Sequence, residues 1–458
     1  MGRCPLSRAS SARLCGLVAA LAYAGAAAAQ DAAAPTDRAT VYRDVTVVDG
    51  TGAAPRAGRA LVVRGERIVA ELDADAMVSG DHVAVDARGL HVVPGLVNTH
   101  VHLANYPKRN FALALMRRDL YGGVTTVRSM GDDARIVADL ARAARVGEIE
   151  GPDVVYAALF AGPGFFHDDR LASAASGAKA GEVPWLREVD ATADLVEAVT
   201  LARGAGASAI KIYGNLDARA VRRIAAEAHR QRLGAWAHAA VFPASTREVV
   251  AADVDTVSHS CMIAYEAQAM PRAYHDRADV DESKLERGMP KPVRDAFRAM
   301  QRRGAILDAT LYVYEAIERL RRELPEGRGP PSYCSSKLAK RLGAEAHRLG
   351  VEFSAGTDAY SPFDDPLPPV QRELEILVDD IGMSPLAAIR AATLVGARSV
   401  GREQEIGTIA PGKLADLVFV RGDPSRRIAA LREIAFVVKR GRVYRRKHYR
   451  PISPSEFE

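Results

Sequence analysis

The sequence PGLVNTHVH occupies residues 94–102 and completes an apolar run that begins at residue 92. Side chains two residues apart in a strand point to the same face, so the imidazoles of His100 and His102 can reach one cation. Neutral imidazole is a common metal ligand. Such a pair also occurs in strands that bind no metal, so further ligands are needed before a metal site is favoured.

Beyond this strand, short apolar runs alternate with helical segments, which is typical of a parallel sheet. Apolar residues recur at helical spacing in residues 218–232 and 335–349. The candidate strands are residues 92–103, 124–130, 153–159, 209–213, 235–239, 256–260, 305–310 and 351–358. Eight such strands close a barrel, so we predict an α/β fold, a (β/α)8 TIM barrel. Its chemistry is expected at the carboxyl ends of the strands.

Four more candidate ligands stand near the ends of these strands. Lys211 lies in the fourth strand, His238 and His259 close the fifth and sixth, and Asp358 ends the eighth. A buried lysine loses its proton readily, and a neutral amine reacts with carbon dioxide to form a carbamate that can bridge two cations. Each residue alone has another explanation: an ion pair for the lysine, a hydrogen bond in the core for each histidine, a turn or helix cap for the aspartate. Their order on successive strands favours a shared metal site.

The run at residues 94–102 resembles the opening strand of the amidohydrolase superfamily. In members with a binuclear site the matching residues bind metal, so the resemblance implies that His100, His102 and Asp358 hold one ion, and His238 and His259 the other. The carboxylated lysine and a hydroxide would bridge the two ions. The resemblance thus implies a metal-dependent hydrolase of amide bonds, with Asp358 carrying the proton to the leaving amine. Two divalent cations are implied, and zinc suits the mixed nitrogen and oxygen ligands.

The resemblance extends over nearly all of the chain after residue 38. SPLAAIRAAT at residues 384–393 and IGTIAPGKLADLV at residues 406–418 are similar to the closing helix of the family and the segment that follows it. The Ile-Lys-Ile setting of the lysine is similar to imidazolonepropionase-like proteins and prolidases, the Xaa-Pro or Xaa-Arg dipeptidases. One departure is RSMG at residues 128–131, where relatives often carry an Asp after the Arg. That position is not a metal ligand, so the departure concerns only the surroundings of the ligands.

Strand-like runs at both ends of the chain predict a second domain. They occupy residues 45–48, 60–63, 67–70 and 82–85, and again residues 416–420, 434–438 and 442–444. We predict that both ends build one small β-sandwich beside the barrel. The predicted divisions are a signal peptide at 1–29, a linker at 30–38, sandwich at 39–93, the metal-dependent hydrolase barrel at 94–403, sandwich at 404–450 and a tail at 451–458.

The first 29 residues contain three arginines and no acid, an apolar run at 17–24, and three alanines before residue 30. This pattern is typical of a secretory signal peptide, so we expect an exported protein, periplasmic or secreted. The apolar run is shorter than the roughly 20 residues of a membrane span, and no membrane partner is expected for the mature form. Removal of the signal lowers the formal charge from +5 to +2, which does not indicate a nucleic-acid partner. Cys261 and Cys334 remain, either as a disulfide or as two buried thiols.

Long loops at residues 162–185, 262–292 and 311–333 are expected to select a small-molecule substrate. Tyr213, Arg128 and Arg272 are candidate contacts for its carbonyl or carboxylate. We expect dipeptidase-like cleavage of a C–N bond, a peptide or other amide, in an amino-acid-derived substrate. A lactonase, a ring-opening cyclic amidase or a deaminase would use the same site, and a non-catalytic metal-binding barrel is a third alternative. The sequence leaves open whether the chain forms a homo-oligomer.

Overall fold

The computed structural model of the protein describes residues 38–105, 108–167, 169–325 and 328–456. The predicted signal peptide and residues 30–37 of the predicted linker lie outside these ranges. Within them, no helix combines the length and the apolar character that a membrane crossing requires.

Eight parallel strands follow one another around the barrel. They are β1 (Leu96–Val101), β2 (Val124–Met130), β3 (Asp153–Ala161), β4 (Ala209–Ile212), β5 (Gly234–His238), β6 (Thr256–Ser258), β7 (Ile306–Asp308) and β8 (Phe353–Ser354). The backbone N–H of Thr99 in β1 donates to the carbonyl of Ala355, 3.0 Å away just beyond β8, and this bond joins the last strand to the first. A short hairpin, Glu182–Val183 and Leu186–Glu188, lengthens the sheet beside β3. The predicted barrel is confirmed.

Helices connect the strands and cover the outside of the barrel. In Ala218–Arg230, for example, the Asp217 side chain caps the first turn, and Val221, Ile224 and Ala228 recur on the buried face. The other α-helices are Arg109–Tyr121, Ala134–Val146, Asp169–Ala175, Leu195–Gly204, Thr246–Ala251, Ser283–Glu286, Lys291–Arg303, Leu311–Glu323, Ser336–Arg348, Val370–Asp379, Pro385–Arg390 and Gly396–Ser399. The last two are joined by a π-helical turn, Ala391–Val395, and 3-10 turns occupy Phe165–His167, Ser260–Ala267, Ile428–Arg432, Arg446–His448 and Pro454–Glu456.

Both ends of the chain form a second, mostly antiparallel sheet, as predicted. Its strands are Ala39–Val47, Arg56–Arg64, Arg67–Asp73, His82–Asp86, His91–Pro94, Leu417–Val420, Ile434–Lys439 and Arg442–Arg445. The two chain ends meet where Val92 pairs with Phe419. Tyr42, Phe419 and Phe436 stack in the core of this sheet, with ring centroids 4.3 to 6.0 Å apart.

Two local predictions were wrong. The single strand predicted at 92–103 is two strands in different sheets, separated at Gly95. A side chain at Gly95 would collide with Thr125, since a Cβ there would lie 2.0 Å from its Oγ1. The loop predicted at 311–333 begins as a helix, Leu311–Glu323, whose first N–H groups donate to the buried carboxylate of Glu373.

Candidate active site

The six predicted metal ligands all stand at or just past the carboxyl ends of barrel strands. His100, Lys211 and His238 lie within β1, β4 and β5, while the other three lie between one and four residues beyond a strand. His259 and Asp358 have left-handed backbone, with φ of 73° and 49°. Non-glycine residues adopt this conformation at a cost of about 1–3 kcal/mol, which is typical of functional sites. The turns it creates bring the two side chains over the barrel mouth.

The structure brings these six side chains together. The Oδ1 of Asp358 lies 3.2 Å from the Nε2 of His102 and 3.6 Å from that of His100. The Nζ of Lys211 lies 3.3 Å from the same Nε2 of His100. The rings of His238 and His259 are 4.4 Å apart between centroids, and ligand atoms of His100, His259 and Asp358 lie within 4.8 Å of one another.

His238 tests whether this cluster fits a metal. Its side chain is buried, and neither ring nitrogen has a hydrogen-bond partner in the described part of the chain. Leaving a buried polar group unpaired costs about 1–3 kcal/mol, so such groups are rare in native proteins. A cation bound between the rings of His238 and His259 would satisfy a nitrogen of His238. The donor set therefore fits metal ions.

Burial favours the neutral, cation-binding form of Lys211, His238 and His259. It lowers the pKa of Lys211 to about 8, even though the charges of Asp358 and Asp308 oppose the shift. Burial also lowers the pKa of His259 to about 3 and that of His238 well below its usual value. The imidazoles of His238 and His259 are therefore neutral, and Lys211 loses its proton near pH 8.

Asp358 remains ionised. Burial alone would raise its pKa, but the charge of His100 and the hydrogen bond to His102 hold the pKa of Asp358 well below its usual range. Its side chain is 23% exposed, slightly more than the 20% of His102, and it faces the cavity. An ionised carboxylate accepts protons and hydrogen bonds and donates none.

Sequence reasoning missed Asp132, which orients His102. Its Oδ1 lies 3.1 Å from the Nδ1 of His102, and its Oδ2 accepts the N–H of Leu103 at 2.8 Å. Burial alone would lower the pKa of His102, but Asp132 raises it to about 9. A carboxylate on one ring nitrogen directs the other toward a metal. Asp132 lies two residues beyond the end of β2, so the position of an acid after a neighbouring strand could have revealed it.

Sequence reasoning also missed Asp308, the last residue of β7. Its Oδ2 lies 2.7 Å from the Nδ1 of His100 and 3.0 Å from the Nη2 of Arg128, and its side chain accepts hydrogen bonds from Thr99 and Ser258. Asp308 is fully buried. It fixes His100 as Asp132 fixes His102. An acid at the end of an apolar strand was the available signal.

The three predicted substrate contacts lie in different places. Arg128 is fully buried, donates to Asp308 and to the carbonyl of Thr99, and stacks on Trp236 at 4.6 Å. It supports the ligands from below and does not line the cavity, which corrects its assignment. Arg272 is exposed and also lies outside the cavity wall. Tyr213 does line the cavity, with its ring 3.8 Å from that of His238 between centroids.

A cavity of about 940 Å³ opens over the ligands. This volume is at the upper end of the range for small-molecule sites. Aromatic side chains form much of its wall: Phe111, Phe165, Tyr213, Tyr274, Tyr314, Tyr333 and Tyr360. The hydroxyl of Tyr360 donates to the carbonyl of His102 at 2.7 Å, which fixes one side of the entrance.

A disulfide braces the segment that follows β6. Cys261, two residues after His259, is bonded to Cys334 with their Cα atoms 6.1 Å apart. The sequence left this pair open between a disulfide and two free thiols. The bond ties the chain that carries His259 to the segment that precedes the helix Ser336–Arg348.

Two known proteins are similar in sequence to part of this chain. The chain is 30% identical over 115 residues to an imidazolonepropionase from Symbiobacterium thermophilum, and 32% identical over 97 residues to an enamidase from Eubacterium barkeri. The matched stretches cover 24% and 20% of this chain, and they span only 27% and 25% of those two proteins.

The fold matches that of a solved Xaa-Pro dipeptidase with bound methionine. The TM-score is 0.71 at 20% identity, over 89% of this chain and 100% of the other. The model of the amidohydrolase family matches residues 91–444, which include all eight barrel strands and every predicted ligand. The chain therefore belongs to the amidohydrolase family.

Proposed function

We propose that this protein is an exported, binuclear metal-dependent amidohydrolase that cleaves an amide or peptide bond of a small amino-acid-derived substrate. The observation that carries the proposal is His238, a buried imidazole with both nitrogens unpaired beside the other five ligands. A non-catalytic barrel would not need to keep all six ligands together with two carboxylates that orient them.

We assign the ligands to two cations that share Lys211. His100, His102 and Asp358 would hold one cation, and His238 and His259 the second. The amine of Lys211, largely neutral above pH 8, can bond to carbon dioxide with loss of one proton, which gives a carboxylate that reaches both groups. The mixed nitrogen and oxygen donors favour zinc.

The cations would acidify a water molecule and polarise the scissile carbonyl. The residues of the chain carry the proton. Asp358 is ionised and faces the cavity, so its carboxylate can accept the proton of the attacking water and release it to the leaving nitrogen. Tyr213, beside His238, is placed to contact the substrate carbonyl. The aromatic wall of the cavity offers an apolar surface to the rest of the substrate.

The relatives support the choice of bond. An enamidase and an Xaa-Pro dipeptidase are both named for cleavage of a carbon–nitrogen bond. Two features support export. The first 29 residues have the pattern of a signal peptide, and the Cys261–Cys334 disulfide suits an oxidising compartment. Sequencing the amino terminus of protein recovered from the periplasm tests this part, and Gln30 is the expected first residue.

Metal analysis and a substrate panel test the activity. We expect two divalent cations per chain and release of a primary amine from dipeptides or N-acyl amino acids. Release of ammonia, or of a ring-opened acid alone, would replace the proposal with a deaminase or a lactonase.

Two variants test the assigned roles. Asp358→Asn should abolish turnover while keeping much of the metal, and Lys211→Ala should lose metal. Asp295→Asn is the matched control, since Asp295 is ion-paired with Lys291 at 2.5 Å on an outer helix. Full activity in both site variants contradicts the mechanism.

A further inference from the structure

Arg277 lies in the wall of the cavity without a carboxylate partner. Its guanidinium stacks on Tyr274 at 3.8 Å and on Tyr333 at 4.6 Å from the ring centroids, and its Nη1 donates to the carbonyl of Tyr274. The Nε is buried and has no hydrogen-bond partner, and among the described residues no acid forms an ion pair with Arg277. A cation partly removed from water without a counter-ion is costly unless a ligand supplies one.

Aromatic rings connect Arg277 to the metal ligands. Tyr274, on which the guanidinium stacks, has its ring 5.3 Å from that of Tyr213 and 5.9 Å from that of His238 between centroids. All four residues line the same cavity. A substrate whose scissile bond lies at His238 can therefore extend along these rings to Arg277.

The segment that carries Arg277 is held in place on both sides. The N–H of Tyr274 donates to the side chain of Asn215 at 2.8 Å. The Tyr265 hydroxyl donates to the carbonyl of Ala278 at 2.7 Å, and the N–H of Val280 donates to the carbonyl of Tyr333 at 2.9 Å. A guanidinium positioned before binding loses little entropy when a ligand arrives.

Arg319 and Arg118 also line the cavity wall, and the Nε of Arg118, like that of Arg277, is buried without a hydrogen-bond partner among the described residues. Arg319 lies 3.8 Å from a carboxylate oxygen of Glu323 and 3.3 Å from the hydroxyl of Tyr312. Arg118 donates to the carbonyls of Pro362 and Asp365. Arg277 differs from both because it stacks on Tyr274, whose ring lies near His238, so it is the wall arginine best placed to bind the anion of a substrate whose scissile bond lies there.

We propose that Arg277 binds the free carboxylate of the substrate and so selects N-acylated amino acids and dipeptides over their neutral derivatives. The forked donors of a guanidinium match the two oxygens of a carboxylate. The amino acid that bears this carboxylate would be the leaving amine. This inference rests on the proposed hydrolysis at the metal ligands, and it names Arg277 in place of Arg128 and Arg272 as the anion contact.

Paired ligands separate a carboxylate contact from a packing role. The ligands are N-acetyl-L-amino acids with the common side chains, each compared with its own carboxamide. They are titrated calorimetrically into the metal-loaded Asp358→Asn protein, where slow turnover permits a binding measurement. For the best-bound side chain, adding Arg277→Met should weaken the carboxylate ligand about 10- to 100-fold, the value of a charge-assisted hydrogen bond. Affinity for the carboxamide should change less than about threefold, and Arg277→Lys should give an intermediate loss.

Arg319→Met is the matched control, because it removes the same charge from the same cavity wall at a residue that already has partners. It should leave the ratio of carboxylate to carboxamide affinity unchanged. Equal losses for both ligands after Arg277→Met, or a parent protein with no preference for the carboxylate, overturn the inference. Carboxylate selectivity in binding together with a fully active Asp358→Asn enzyme would instead contradict the proposed mechanism and leave Arg277 as the anion contact.

Discussion

Asp308→Asn removes one negative charge from beneath the proposed metal ligands with almost no change in shape. The carboxylate of Asp308 holds the Nδ1 of His100 at 2.7 Å and the Nη2 of Arg128 at 3.0 Å, and both partners are fully buried. Asparagine can still accept a hydrogen bond through its oxygen, but its amide nitrogen must face one of the donors that surround it. The substitution therefore leaves the guanidinium of Arg128 buried without a full counter-charge.

The expected losses follow from these contacts. Removing one partner of a buried ion pair costs about 3–5 kcal/mol, because the remaining charge is uncompensated. Removing the carboxylate that orients a metal-binding histidine weakens metal binding about 10- to 100-fold. Since typical domains are stable by about 5–15 kcal/mol, the variant should remain folded at 25 °C with a clearly lower free energy of unfolding.

A double-mutant cycle with Arg128→Met isolates the interaction energy between Asp308 and Arg128. Urea denaturation of the metal-free proteins gives the free energies of unfolding, and competition with a chelator gives the metal affinities. Arg128→Met should partly restore the stability of the Asp308→Asn protein, because it removes the uncompensated charge. Strictly additive losses in the cycle, together with unchanged metal affinity in Asp308→Asn, would refute the role assigned to Asp308.

Three further outcomes can be measured on the same protein. Burial raises the pKa of Glu373 to about 8, so the folded state holds this proton more tightly than the unfolded chain, and the free energy of unfolding should fall as the pH rises from about 4.5 to 8. Glu373→Gln should flatten this part of the pH profile of urea midpoints. An unchanged slope in the variant would contradict this role of Glu373. The Cys261–Cys334 bond closes a loop with a sequence separation of 73, so Cys261→Ser should lower the free energy of unfolding by about 4 kcal/mol. Equal stability of the oxidised and reduced forms of the parent protein would show that the bond contributes nothing. Because only a neutral amine reacts with carbon dioxide, the ¹³C carbamate signal of protein incubated with labelled bicarbonate should grow between pH 7 and 9. This signal should vanish in Lys211→Ala. A signal that survives the substitution would come from another amine and contradict carboxylation of Lys211.

The barrel and the convergence of the six side chains could be predicted because the signals for both lie in local sequence. Strand periodicity and the PGLVNTHVH run placed eight strands, and each ligand stands at the end of one of them. The two strands on either side of Gly95 could not be separated, because both are apolar and only the approach of Thr125 distinguishes them. Arg128 was misassigned for a related reason. The local sequence around an arginine at a strand end is the same whether its side chain faces a cavity or a buried aspartate from another strand.

The charges around the ligands connect the state of Lys211 to the number of cations. Asp358, Asp132 and Asp308 are each held in the ionised form, and Arg128 offsets one of these three negative charges. With a neutral lysine, and with His102 deprotonated as a metal ligand requires, the net charge is therefore −2, which balances one divalent cation. Carboxylation of the lysine adds another negative charge. It also adds oxygens that could bind a cation together with His238, whose ring nitrogens have no hydrogen-bond partner among the described residues. Because uncompensated charge is costly inside a protein, binding of the second cation and uptake of carbon dioxide should favour each other. Cation stoichiometry should then rise toward two only where the carbamate signal also rises, and two tightly bound cations in a protein kept free of carbon dioxide would contradict this charge balance.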